Sequence, residues 1–379
     1  MFTDLKKRYN KKDRIKFNKN IKFVSGSGGS KNLIFLSKKY VYKIIPYNKK
    51  HELHKIRKNN DQKEIEIYKI LTDEFILKNK TPHIVGYYDK YKINLTDIFG
   101  KCPPLKQQFL KDTKTLFKNE VDSNKCILKK LYKNGNIKNI ADVIVIEKCP
   151  HTIQDYILNI LKSNNKYKYK ILKETIDIVS FQVIFTLAVI QEKYPSFVHN
   201  DLFLRNIMGN IQKYKSNEFN EYKFKNKTFY LPANGLSIKI NDFGETLSKP
   251  NMISTLIFNK SKETNEEKIN CPKCDLFNFF HDFYDGQDLG AKSVTTMMKK
   301  KSKKNKLYIR NVFSKYIDVN IIDKINIKNR NKFNWTWYIN DIPFLKKIIK
   351  TPKQYLNSNI FNKYTKITKN DIIINKYSL

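Results

Sequence analysis

The chain's 379 residues are 40% hydrophobic, enough for one large domain or two modest lobes with a buried core. Its five cysteines, an odd number without framework spacing, fit a reducing cytosol. The 74 Lys and Arg against 35 Asp and Glu give a net charge of +39, and with it a non-specific, salt-sensitive attraction to polyanions. Only six of the 74 are arginine, and the Lys-, Asn- and Ile-rich mixture matches an AT-rich genome, so the charge is read first as composition.

Residues 1–20 form a basic arm, expected to be mobile, and its polar character predicts no secretory leader. Ile21 to Ser25 reads as a strand, followed by glycines and by strands over Leu33 to Ser37 and Tyr40 to Ile45. From His51 to Leu77 the pattern turns helical, with Ile65, Tyr68, Leu71 and Phe75 at three- and four-residue steps. His83 to Tyr88 and Asp142 to Glu147 read as short apolar strands around a Lys-rich insertion, about 90–140. Helices are predicted over 151–163, 169–193, 274–290 and after 305, with a second polar insertion over about 211–235. The longest apolar stretch, Ile178 to Ile190, carries Ser180, Gln182 and Thr186 and is too short to span a bilayer, so no transmembrane segment is expected. Cys271 and Cys274 form a C-x-x-C with His281 nearby, but a structural zinc needs four ligands and no fourth stands out. The coarse pattern is α+β: a sheet-rich lobe over 21–149 with one helix, then a larger, mainly helical lobe over 150–379.

Four segments carry chemistry. Val198 to Asn206 reads V-H-N-D-L-F-L-R-N. Phosphoryl transfer to a hydroxyl needs a carboxylate to orient the nucleophile and take its proton, and a further ligand near the metal; Asp201 and Asn206 suit these tasks, with Arg205 placed to approach the transferred phosphate. Ser237 to Asn241 reads as a strand running into Asp242-Phe243-Gly244, where Asp242 would coordinate Mg²⁺. Lys43, in Y-V-Y-K-I-I, would reach the α- and β-phosphates from a strand, held by Glu64 or alternatively Glu66. Gly26-Ser27-Gly28-Gly29 between two strands would bring backbone amides to phosphate. Taken singly, each has a plain alternative: a capped turn, a surface lysine or a hairpin turn.

In this order the four segments resemble the eukaryotic-type protein kinase superfamily. Thr81 to Tyr88, T-P-H-I-V-G-Y-Y, is similar to the kinase H-P-N-I-V stretch, and Val143 to Ile157 to the hinge and its following helix. The resemblance implies a bilobal kinase-like fold, ATP and Mg²⁺ as cofactors, and protein substrates. It implies Ile146 as gatekeeper, backbone groups of Glu147 and Cys149 on adenine, and Val41 against the nucleotide. It makes Asp275 the helix aspartate that supports the catalytic loop, and Thr351 to Tyr364 the closing helix.

Some positions depart from the pattern. Asn200 replaces the arginine before the catalytic aspartate, so control by an activation-loop phosphate is not expected; Lys31 stands where the third loop glycine belongs; no A-P-E lies between Asp242 and Asp275. Phe203 and Arg205 give a catalytic loop closer to tyrosine kinases. These features look most like the divergent kinases of large DNA viruses. The implied activity is phosphorylation of serine or threonine, with tyrosine as an alternative, in an intracellular, cytoplasmic protein or one packaged in a virion. Two rivals stay open: a small-molecule kinase of the aminoglycoside or choline type, and a basic pseudokinase scaffold.

Overall fold

The structure is a computed structural model that describes residues 9, 22–23, 33–48, 63–101, 132–135, 137–246, 273–284, 311–319 and 349–379. The chain divides into two compact units, Met1–Lys69 with Val85–Lys148, and Ile70–Ile84 with Cys149–Leu379.

The first unit is built on a five-stranded antiparallel sheet in the order β1-β2-β3-β5-β4: β1 Lys22–Phe23, β2 Leu33–Leu36, β3 Tyr40–Asn48, β4 Tyr87–Ile93 and β5 Ile137–Glu147. The centre of β5 is buried on both faces from Ala141 to Ile146, which is why V-I-V-I is apolar without alternation, and the buried Asp142 carboxylate accepts the Tyr47 hydroxyl at 2.7 Å. The β3–β5 register slips between Pro46 and Asn48, where proline has no N–H to give the ladder. Two predicted strands change extent. The strand expected over 83–88 is instead β4, starting at Tyr87, and β5 begins at Ile137. Both ends of the predicted 90–140 insertion therefore belong to the sheet, because the ladder keeps bonding beyond the apolar centre. The arm's Tyr9 is docked: its hydroxyl donates to Asp89 Oδ2 at 3.1 Å and its ring lies 5.4 Å from Tyr40 and 5.6 Å from Tyr88.

Helix α1 covers residues 63–71 and tightens into a π turn over Thr72–Ile76. Over 64–69, Glu64, Ile65, Ile67 and Tyr68 are buried while Glu66 and Lys69 are exposed. At about 100° per residue this places Glu64 well inside the buried arc and Glu66 on the opposite side.

In the second unit α2, Ile153–Lys162, starts at Thr152, whose hydroxyl accepts the Asp155 amide at 3.0 Å, and buries Ile153, Ile157 and Leu161. Gly209 on β7, Ile207–Gln212, permits the close approach of α2: a Cβ there would sit 3.0 Å from Ile153 Cδ1. Helix α3, Lys168–Lys193, is long and apolar enough by composition to cross a membrane, but 83% of its apolar window is buried inside the protein. It is apolar all round because it is surrounded. Its buried Asp177 accepts from Lys363 Nζ at 2.6 Å, Tyr316 Oη at 2.8 Å and Lys315 Nζ. Burial works against the charged form, but the two lysines outweigh it and hold the carboxyl below its usual range. Helix α4 is Cys274–Tyr284. The expected closing helix is short α5, Pro352–Asn357, opened by a Thr351–Gln354 capping box; extended Ser358 breaks it, and a 3₁₀ turn follows over Asn359–Tyr364.

The unit also contains two three-stranded sheets, more strand than a mainly helical lobe suggests. One has the order β10-β7-β6, with β6 His151–Thr152 and β10 Gly235–Ile240. The other shows that the polar insertion expected over about 211–235 contains strands. There β8, Glu218–Phe224, and β9, Lys227–Pro232, form a hairpin, and β11, Ile372–Ser378, pairs with β8 in parallel. Tyr222, Phe224, Phe229 and Leu231 are buried, and Tyr222 lies 5.4 Å from Phe181 and 5.1 Å from Phe185 of α3. The strand at 372–378 also replaces the helix expected in that stretch.

His83 ties this sheet to β10. The Ile238 carbonyl can only accept, so Nδ1–H donates to it at 3.0 Å, and Nε2 accepts the Tyr222 hydroxyl at 3.0 Å. Burial holds the ring neutral, its pKa lowered to about 3. A Tyr222→Phe variant leaves Nε2 buried without a donor, so unfolding free energy should fall by about 1–3 kcal/mol. Chemical denaturation checks this; a loss under about 0.5 kcal/mol, ordinary for a neutral surface change, would contradict the buried His83–Tyr222 hydrogen bond.

Candidate active site

In the first unit the sheet presents Lys43 from β3, where it pairs across to Ile144 of β5 and Ile34 of β2. Its ammonium donates to Glu64 Oε1 at 2.6 Å, and the two side chains are 11% and 3% exposed. An ammonium brought into so buried a position needs a carboxylate, and α1 supplies one. Val41 stands opposite Ile146 in the β3–β5 register, and Tyr40 opposite Glu147. Ile146 is buried. The Glu147 N–H is donated to the Gly86 carbonyl at 2.8 Å, so the backbone contact to adenine expected at Glu147 narrows to its carbonyl. Gly26, Ser27, Gly28 and Gly29 lie outside the described residues.

In the second unit Phe203 leads into a 3₁₀ turn over Leu204–Asn206, bringing Asp201, Arg205 and Asn206 together. Arg205 Nη2 donates to Asp201 Oδ1 at 2.8 Å, while Asn206 Nδ2 donates to Asp201 Oδ2 at 2.6 Å and to the Asp201 carbonyl at 2.8 Å. The carboxylate is thus fixed in direction by two side chains. Arg205, expected near a transferred phosphate, is held on Asp201 itself, its guanidinium 4.5 Å from the Phe203 ring centre.

The loop is anchored from behind. Asp275 at the start of α4 is fully buried and accepts the His199 amide at 2.6 Å and the Asn200 amide at 2.8 Å. Burial pushes its carboxyl up to about 7, against the pull of those two donors. His199 Nδ1 accepts the Asp201 amide at 3.3 Å, which leaves Nε2–H to donate to the Asn241 carbonyl at 3.0 Å. Burial lowers that ring's pKa to about 4, in keeping with the neutral tautomer. The Asn241 amide in turn donates to the Asn206 carbonyl at 2.9 Å, which sets the Asp242 segment beside the Asp201 loop.

Asn200 and Asp242 both adopt left-handed backbone, with φ of 66° and 64°. Asn and Asp tolerate that region best after glycine. Asn200 therefore serves the loop through its backbone, in a conformation a branched residue would resist.

The donor set suits a hard divalent cation. Asp242 offers a carboxylate, and Asn206, whose amide nitrogen is given to Asp201, offers its Oδ1. Among the described residues no cluster of three His, Cys, Asp or Glu side chains forms a metal site. Cys271 of the C-x-x-C lies outside them. The sequence reading missed Asp282, which accepts the Leu204 amide at 2.7 Å; its position two helical turns after Asp275 was the available signal.

No family model matches the chain. It is 34% identical over 382 residues, covering 93% of this chain and 91% of the relative, to an Acanthamoeba polyphaga mimivirus protein whose name assigns it provisionally to the serine/threonine-protein kinases. A second mimivirus protein so named is 28% identical over 226 residues, 58% of this chain and 44% of that protein.

Proposed function

Since the chain belongs to the divergent serine/threonine-protein kinase family of giant DNA viruses, we propose that it transfers the γ-phosphoryl group of ATP to serine or threonine hydroxyls of proteins, with tyrosine as the alternative acceptor. The observation that carries the reading is the Asp201 carboxylate, held by Arg205 and Asn206 in a loop fastened to Asp275. In this role Asp201 orients the acceptor hydroxyl and takes its proton as the oxygen bonds to the γ-phosphorus and the bond to the ADP oxygen breaks.

Lys43, steadied by Glu64, would neutralise the α- and β-phosphates, with the amides of Gly26, Ser27, Gly28 and Gly29 beside them. Val41 and Ile146 would face the adenine ring, with the Glu147 carbonyl and the Cys149 amide on its polar edge. Asp242 and Asn206 would hold Mg²⁺, which when bound supplies charge neutralisation along the phosphates. The Arg205–Asp201 pair would keep the carboxylate aimed at the acceptor. The odd number of cysteines without framework spacing supports an intracellular, cytoplasmic location, with packaging in a virion as the alternative, and the high positive charge supports non-specific polyanion binding.

Radiolabelled ATP offered with a panel of acidic and basic proteins, followed by phosphoamino-acid analysis, tests the reading. Phosphoserine and phosphothreonine are expected, at a rate that disappears in Asp201→Asn. Label on small-molecule alcohols alone would replace the protein substrate by a metabolite, and no transfer from folded protein would leave a binding scaffold.

A further inference from the structure

Helix α4 fastens the catalytic loop at two points. Asp275 and Asp282 are seven residues apart, about 20° short of two full turns, so they project from one face about 10 Å apart along the axis. Asp275 takes the amides of His199 and Asn200, on the side of Asp201 before the carboxylate; Asp282 Oδ2 takes the amide of Leu204 at 2.7 Å, on the side after it. Leu204 is 2% exposed, so its N–H has no access to bulk water. It also lies at the first position of the 3₁₀ turn, where an amide has no partner within the turn and must find one elsewhere.

We propose that Asp282 is a positioning residue for phosphoryl transfer: by accepting the Leu204 amide it fixes the turn that aims Arg205 and Asn206 at Asp201. The inference rests on the kinase reading above. The two residues that orient the Asp201 carboxylate directly follow Leu204, and the amide of Asn206 itself is bonded back to the Phe203 carbonyl at 2.9 Å. Freeing Leu204 therefore loosens both donors to the carboxylate together, while nucleotide-binding groups in the first unit are untouched.

The geometry provides its own control. Phe203 has φ −102° and ψ 162°, the extended backbone a residue before proline adopts, and Leu204 begins a turn, where proline fits. Leu204→Pro removes the N–H that Asp282 satisfies. In the full-length protein, Asp282→Leu should lower kcat about tenfold or more with KM for ATP within about twofold, since a buried donor is stranded beside groups that act in the transition state. Asp282→Asn, which keeps an acceptor oxygen, should retain most of kcat. Combining Asp282→Leu with Leu204→Pro should restore kcat to within about threefold of wild type, because no donor is left to satisfy and the ring-fixed φ of proline holds the start of the turn in place of the bond. The same loss of kcat from Asp282→Leu with and without Leu204→Pro would overturn the proposal, as would Asp282→Leu alone within about twofold of wild type, less than a lost hydrogen bond costs. Amide hydrogen exchange gives a measurement independent of turnover. The Leu204 amide should be protected in wild type and in Asp282→Asn and should exchange rapidly in Asp282→Leu. An amide that exchanges freely in wild type overturns the contact even if the protein proves to be no kinase. Should Asp282→Leu not fold, Asp282→Ala decides in its place: it should lose kcat and the protection of the Leu204 amide together, and a folded Asp282→Ala of wild-type kcat would refute the proposal.

Discussion

A Lys43→Met variant should lose phosphoryl transfer by roughly 10²–10³-fold or more while also becoming less stable. The two effects have separate causes. The ammonium is the charge from β3 assigned to the ATP phosphates, and a thioether cannot replace it. The stability loss comes from Glu64, which is 2% exposed and would be left without the cation 2.6 Å away. Stranding one member of a buried pair costs about 3–5 kcal/mol, with relief only if the carboxyl takes up a proton. Adding Glu64→Gln to Lys43→Met removes the uncompensated charge, so the double variant should regain much of the melting temperature and none of the activity. Glu64→Gln alone should cut turnover heavily, and Glu66→Gln should leave it near wild type because Glu66 is exposed on the other side of α1. Normal turnover in folded Lys43→Met, or equal losses from the two glutamate variants, would remove Lys43 and Glu64 from the site.

Asp242→Asn should abolish transfer, at least about 10³-fold, with the fold retained. The substitution is chosen for the backbone: at φ 64° asparagine is as much at ease as aspartate, whereas alanine would add about 1–2 kcal/mol of left-handed strain. The change therefore isolates the charge. Melting temperature should match wild type within about 2 °C, the shift of a surface change, and the Mg²⁺ concentration needed for half-maximal rate should rise steeply. Near-normal turnover in the folded variant would show that the metal lies elsewhere.

The strand bearing Lys43, the D-F-G after a strand, and the H-N-D loop were legible because each is a local signal: a run of apolar residues, a fixed spacing, a turn-forming tripeptide. The choice of Glu64 over Glu66 was also accessible, since 200° of helix rotation forbids both from facing the same way. Local signals failed where pairing is non-local. The β8–β9 hairpin within the polar insertion went unread because its strands alternate, and one face is covered by Phe181 and Phe185 of a helix dozens of residues earlier. Strand β11 was invisible for the same reason, its parallel partner β8 being separated from it by more than a hundred residues. For α3 the local signal and the packing agree: Ser180, Gln182 and Thr186 within the apolar stretch argue against a span, and its burial and the lysines on Asp177 make it a core helix.

The sequence alone determined the kinds of groups present and their order: a strand lysine, a helix glutamate, an aspartate and asparagine five residues apart, and an aspartate before Phe-Gly. That order is enough to imply phosphoryl-transfer chemistry, because each group is needed for a different charge in the reaction. Tertiary structure decided which atoms meet. Arg205 is turned onto Asp201, the Glu147 amide is given to Gly86, and Asp282 reaches the Leu204 amide; no spacing rule specifies any of these. The reason is that a buried hydrogen bond is chosen by what the fold brings within about 3 Å, and elements far apart in the chain settle that only when they pack.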